Sequence, residues 1–117
     1  MVARIVHFGE DAHNRIATLK NAGYHVDECR SLAELHAALV GIQAADAVAV
    51  TENDGAIPPK AISLIRATSI APLILFQNGD HQYNPAEFDL IVPSSIEARD
   101  WLSGIAAVMT RSVQRDR

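Results

Sequence analysis

The chain has 117 residues, of which 49% are hydrophobic and 21% charged, with a formal net charge of −4. That is the size of a single domain, with enough apolar material for a core and no room for a long disordered region. The acidic balance argues against general nucleic-acid binding, the lone Cys29 excludes a disulfide framework or a cysteine-based metal site, and no apolar run approaches membrane-spanning length. Aromatic residues are only 5%, so the core must be built from Ala, Val, Ile and Leu. Met1 to Phe8 has no long apolar stretch followed by a small-residue cleavage site, so a cytoplasmic domain without contact to a membrane is expected.

Ile5 to Phe8 predicts a first strand, between Arg4 and the turn Gly9-Glu10-Asp11. Asp11 is placed to cap the next element. The helix Ala12 to Ala22 carries Ile16, Leu19 and Ala22 at helical spacing and stops at Gly23. Tyr24 to Cys29 reads as a half-exposed edge strand, with His25, Asp27 and Glu28 as its polar members. Ser31 and Glu34 form a capping-box pair ahead of a helix from Leu32 to Ile42, with Leu32, Leu35 and Leu39 on one face. Ala47 to Val50 is an unbroken apolar run ending at Thr51, too short for a buried helix; it predicts a strand covered on both sides. Pro58-Pro59 opens a third helix, Pro59 to Ala67, with Ile62, Leu64 and Ile65 inward. Leu73 to Phe76 is a second doubly buried strand. Asn78 to Glu87 has no apolar stripe and predicts a loop or a single helical turn. Phe88 to Val92 is the last strand. Ser94 and Glu97 pattern as a second capping box, before a helix from Ser95 to about Ser112 with Ala98, Leu102, Ile105 and Met109 inward and Trp101 beside them.

Strands alternating with helices imply parallel βαβ units with right-handed crossovers. Five strands in this length fit an α/β three-layer sandwich of flavodoxin-like order 2-1-3-4-5, with residues 1–117 as one domain and the fourth helix shortened or missing. In such sheets function sits outside the carboxyl ends of the strands, which places Thr51, Glu52, Asn53 and Asp54 where a site would lie.

At this point the chain resembles a response-regulator receiver domain over nearly its whole length. The resemblance rests on R-I-V-H-F-G-E-D at the first strand, Asn14 to Val26 across the first helix and second strand, D-A-V-A-V-T at the third, A-P-L-I-L-F-Q at the fourth and D-L-I-V-P at the fifth. The family it resembles uses two acidic side chains after the first strand to hold Mg²⁺. An Asp ending the third strand is the phosphoryl acceptor, a hydroxyl ends the fourth, and a Lys precedes a Pro after the fifth. Metal and ammonium neutralise the charge that builds as phosphate approaches a carboxylate. Here the acidic pair falls on Gly9 and Glu10, with Asp11 next. The acceptor falls on Thr51, the hydroxyl on Gln77 and the lysine on Val92, with Pro93 in the proline's place. A threonine cannot form an acyl phosphate, and Val92 carries no charge. The resemblance therefore implies a pseudo-receiver: a signalling module, not an enzyme, needing no cofactor or metal and meeting a protein partner, with a homodimer as a further option.

Several residues carry competing readings. Asp54 is the alternative phosphoacceptor, though Asn53-Asp54-Gly55 is also ordinary turn chemistry. Glu10 and Asp11 would form a weak cation site, or Asp11 simply caps a helix. Thr51 is either a reactive hydroxyl or a strand-end residue bonded nearby, and His7 is most simply a hydrogen-bonded core histidine. The polar positions Gly9, Glu10, Thr51, Asn53 and Gln77 would make a small-ligand pocket. Trp101, Arg111 and Arg115 are the candidate interaction surface on the last helix, together with the altered 78–87 segment; Trp101 reads equally well as core and the arginines as a solvated helix end.

Overall fold

The structure, a computed structural model, describes residues 2–11, 13–53, 56–79 and 81–115. The two uninterrupted apolar runs become the two most buried strands, β3 (Ala47–Thr51) and β4 (Leu73–Phe76), with every position in each buried. They lie side by side in a five-stranded parallel sheet of order β2-β1-β3-β4-β5, completed by β1 (Arg4–Phe8), β2 (His25–Cys29) and β5 (Leu90–Val92). Side chains alternate across a strand, so each one feeds both faces. Ile5, Ala47, Ala49, Ile74, Phe76 and Val92 point to one face, where they meet Ile16 and Leu19 of α1 (Arg15–Asn21) and Trp101 and Ile105 of α4 (Ala98–Arg115). Val6, Val48, Val50, Leu73 and Leu75 point to the other, where they meet Leu35 and Leu39 of α2 (Leu32–Leu39) and Ala61 and Ile65 of α3 (Pro59–Thr68). This is the expected three-layer, flavodoxin-like arrangement. No helix among the described residues is long and apolar enough to cross a membrane.

The helix ends depart from the sequence pattern in instructive ways. α1 begins at Arg15 because His13 and Asn14 turn through left-handed conformations, φ +61° and +54°. Asp11 still caps it from outside: its Oδ1 accepts from the backbone amides of Arg15 (3.0 Å) and Ile16 (3.3 Å). On α2, Ser31 Oγ accepts from Glu34 N at 3.1 Å as the capping box requires, while Glu34 Oε1 accepts from Arg30 N (2.9 Å) and not from the amide of Ser31. This helix stops at Leu39, three residues before Ile42, which is fully exposed.

The second capping box does not form. Residues 93–96 make a turn, closed by Ile96 N to Pro93 O at 3.4 Å. The first helical bonds run from Trp101 N and Asp100 N to Glu97 O, so α4 begins at Ala98 with Glu97 at its cap position. The inward stripe consequently runs through Trp101, Ile105 and Val108, with Leu102 and Met109 half-buried and Ala98 exposed. Trp101 is only 5% exposed and meets Phe76 edge-to-face at 5.5 Å between ring centroids. It is a core residue and offers no interaction surface, which corrects one of the two readings above.

Between β4 and β5 the fourth helix is reduced to a single 3-10 turn, Pro85–Glu87, capped by Asn84 Oδ1 accepting from Ala86 N at 3.0 Å. β5 is shorter than the apolar run suggests because Phe88 turns into the core and Asp89 Oδ2 accepts from Leu73 N at 2.7 Å.

Candidate functional site

The carboxyl ends of β1, β3, β4 and β5 converge on one edge of the sheet and bring Gly9, Thr51, Gln77 and Pro93 to it. Gly9 has φ +113°, and a Cβ there would stand 3.1 Å from the carbonyl oxygen of Thr51. Glycine is the residue this backbone admits. Glu10 is exposed, and Asp11 is exposed with one oxygen committed to the start of α1. Thr51 is only 3% exposed, and its Oγ1 is hydrogen-bonded to His7 Nε2 at 2.6 Å. Burial pushes His7 down to about 4, against the opposing pull of Asp11 and Glu28, so the ring is neutral near pH 7. Thr51 is thus a strand-end hydroxyl tied to a core histidine.

Gln77 turns its amide to the backbone, Nε2 donating to His81 O at 2.5 Å. Val92 is buried with the Trp101 cluster. Asn53 closes a tight bridge with Ala56, its N donating to Ala56 O (2.9 Å) and its O accepting from Ala56 N (3.0 Å). Asp54 itself lies outside the described residues, as does the side chain of Arg115; Arg111 is exposed beside Phe88, Asp89 and Val108.

Two charged side chains are buried here: Arg15, which the sequence pattern did not single out, and Glu52, which it placed at the strand ends without foreseeing its burial. Arg15 is 3% exposed, with its guanidinium 5.0 Å from the Phe76 ring centroid. Its Nη2 donates to Pro93 O at 3.3 Å, while Nη1 has no hydrogen-bond partner among the described residues. Burial lowers its pKa, opposed by the charges of Asp11 and Glu52. A cation therefore sits at this end of the sheet, supplied by α1 and committed to a structural contact. The signal for it was spacing: Arg15 precedes Leu19 by four residues, one turn along the inner face of α1.

Glu52 is 1% exposed. Its Oε1 accepts from Asn78 N (2.7 Å) and Gly79 N (2.6 Å), its Oε2 accepts from the Tyr83 hydroxyl, and its backbone oxygen accepts from Asn78 Nδ2 at 2.6 Å. Burial alone would raise the carboxyl's pKa. The bonds from Tyr83, Asn78 and Gly79 outweigh it, and the net shift is downward. The same contact, with burial, pushes Tyr83 up to about 12. A carboxylate directly after the fully buried strand Ala47–Thr51 was the available signal.

These donors do not fit the Mg²⁺ that the fold's phosphoryl-accepting members are expected to hold. Gly9 supplies no side-chain oxygen, Thr51 faces His7, and Asp11 caps α1; Mg²⁺ needs a near-octahedral oxygen shell anchored by carboxylates. Among the described residues no three His, Cys, Asp or Glu side chains are grouped to hold a metal. A cavity of about 340 Å³ does open at this end of the sheet, between β5 and the β4–β5 segment, lined by Gln77, His81, Gln82, Tyr83, Ile91 and Ser94 among others. Of the five positions expected to form a small-ligand pocket, only Gln77 borders it.

No known family model matches the chain, and no curated protein matches it. Solved structures do. The N-terminal domain of a response regulator/sensory box/GGDEF three-domain protein from Carboxydothermus hydrogenoformans superposes with a TM-score of 0.76 at 12% identity, covering 97% of this chain and 99% of that one. A CheY-like response regulator receiver domain protein from Methanospirillum hungatei gives 0.75 at 13% identity, over 98% and 99%. A chain described as adenylate cyclase from Rhodopirellula baltica gives 0.74 at 15% identity, over 96% and 90%. At such identities the likeness speaks to architecture, and the chain has the fold of the response-regulator receiver domains.

Proposed function

We propose that this chain is a non-catalytic signal-transduction module: a receiver-type domain that acts through contact with a protein partner, without aspartyl phosphorylation. The observation that carries the reading is the chemistry at the strand ends. The acceptor position is a buried threonine bonded to His7, the hydroxyl position is Gln77, and the lysine position is Val92 within the core. A low-dielectric site lacking the acceptor carboxylate and its ammonium partner gives a phosphoryl group neither a covalent anchor nor charge compensation. Arg15, the nearby cation, is packed on Phe76 and bonded to Pro93 O. The surface available for a partner comprises the exposed face of α4, including Arg111, and the 78–87 segment that replaces the fourth helix. We place the module in the cytoplasm.

The test is the intact mass of the folded protein after incubation with a small-molecule phosphodonor and Mg²⁺. The mass is expected to stay unchanged. A stoichiometric phosphoryl adduct, hydroxylamine-sensitive and mapped to Asp54 or any other carboxylate, would overturn the reading and make the chain a divergent phosphoacceptor. A second reading, a small-ligand sensor, is favoured by the cavity beside Gln77 and Tyr83. Thermal-shift measurement against a metabolite set would support it with a saturable rise in Tm that is lost in Gln77→Ala, and a flat response would remove it.

A further inference from the structure

The described residues between β4 and β5, 78–79 and 81–88, have little backbone bonding among themselves. Among the described residues, Glu87 N to Asn84 O at 3.1 Å is the one internal backbone hydrogen bond. The segment is instead tied down at a few points. Glu52 takes two backbone amides and one hydroxyl on its carboxylate, and one side-chain amide on its carbonyl. Gln77 holds the carbonyl of His81, and Arg66 donates to the carbonyl of Glu87. Tyr83 stands between His81 and Phe88, with ring centroids at 4.8 and 6.3 Å. Tyr83 and Ile91 are only half-buried against the cluster that includes Leu75 and Phe88. Among the described residues, Glu52 therefore makes four of these six ties, three of them through its carboxylate.

That side chain is not part of the connection. Glu52 follows Thr51 directly and is fixed to the sheet, its own amide donating to Phe76 O at 2.9 Å. The end of β3 is thereby wired to the face where the fourth helix would lie. We propose that residues 78–79 and 81–88 belong to a strap latched to β3 by Glu52, and that these residues open together while the five strands stay folded. Opening breaks the bonds to Asn78, Gly79 and Tyr83 together, because all three converge on one carboxylate. It also dissolves one wall of the cavity, which Tyr83 and His81 help to form. The latch is a property of the isolated chain and holds whether or not the chain acts as a phosphorylation-independent binding module.

The amides of Asn78 and Gly79 report the latch directly, since both donate to Glu52. Hydrogen exchange resolved by NMR is expected to show both amides protected, yet less than those of β1 and β3, because sub-global opening reaches them first. Glu52→Gln keeps an acceptor but removes the charge, and charge-assisted bonds are about twice as strong as neutral ones. It should speed exchange at both amides about tenfold relative to β1 and β3. Tyr83→Phe, which deletes one donor and keeps the ring, should give a smaller acceleration in the same place and serves if Glu52→Gln does not fold. Three results would overturn the proposal: unprotected Asn78 and Gly79 amides in the parent, unchanged rates in the variants, or an acceleration shared equally by β1 and β3.

Discussion

Replacing Gly9 tests whether the backbone at the end of β1 admits any residue but glycine. Gly9→Ala puts a Cβ on a backbone at φ +113° and 3.1 Å from the carbonyl oxygen of Thr51. A side chain held in such a conformation costs about 1–3 kcal/mol, and the carbonyl, in a fully buried strand, cannot move aside easily. Against this, alanine restricts the unfolded chain and returns about 0.4–1 kcal/mol. The net loss should be about 1–2 kcal/mol, which lowers Tm by several degrees in a domain of this size. Gly9→Asp, which recreates an acidic pair with Glu10, carries the same backbone strain and adds a carboxylate beside a carbonyl oxygen, so it should lose at least as much. Urea unfolding of the parent and both variants measures this. If Gly9→Ala falls within about 0.5 kcal/mol of the parent, the ordinary range for a surface change, then neither the left-handed backbone nor the Thr51 contact constrains this position, and the reasoning fails.

Other outcomes follow from the buried polar groups. His7 has its pKa depressed from 6.5 to about 4, so the unfolded chain takes up its proton first as pH falls. The stability from keeping the ring neutral is complete above about pH 6.5 and is lost progressively toward pH 4. The shift amounts to about 3 kcal/mol, and urea midpoints between pH 7 and 4.5 should show a slope that His7→Asn flattens. Arg15→Met should change stability by less than about 1 kcal/mol, since it replaces a buried, incompletely bonded charge with apolar volume; Arg15→Ala should lose more, because the packing on Phe76 goes with it, and equal losses in the same unfolding assay would contradict this. Trp101→Ala should cost about 3–5 kcal/mol, and the parent's tryptophan emission should be blue-shifted and poorly quenched by iodide; ready quenching would return Trp101 to the surface.

The sheet was legible because its two central strands announce themselves. Ala47–Val50 and Leu73–Phe76 are runs that only a strand covered on both sides can accommodate, and turn residues between periodic segments left few other topologies. The Ser31–Glu34 pair marked α2 because Ser31 meets the helix directly. Ser94–Glu97 has the same pattern and failed, since the chain after Pro93 makes a turn before it can become helical, and the inner stripe rotates onto Trp101 with that delay. The residues at the strand ends were readable as residue types, but their partners were not. His7 and Thr51 are 44 residues apart and pair only because β1 lies beside β3. Glu52 was placed at the strand ends but its burial was not legible, and Arg15 escaped notice altogether, because a charged residue in a local pattern reads as exposed; what permits their burial comes from segments far away in sequence: Asn78, Gly79 and Tyr83 for Glu52, Phe76 and Pro93 for Arg15.

The brevity of β5 has a further effect on the molecule's behaviour at high concentration. An open sheet ends in two rows of unpaired amides and carbonyls, and a long, flat, apolar edge would recruit a neighbouring chain into cross-strand aggregates. Here one edge is three residues long and is followed at once by Pro93, which has no amide hydrogen to offer. The other edge, β2, carries His25, Asp27 and Glu28; Asp27 pairs with Arg4 and is hydrogen-bonded to His25 at 3.1 Å, and Glu28 pairs with Lys20. Both margins therefore present poor templates for strand addition, although the interior of the sheet is almost entirely aliphatic.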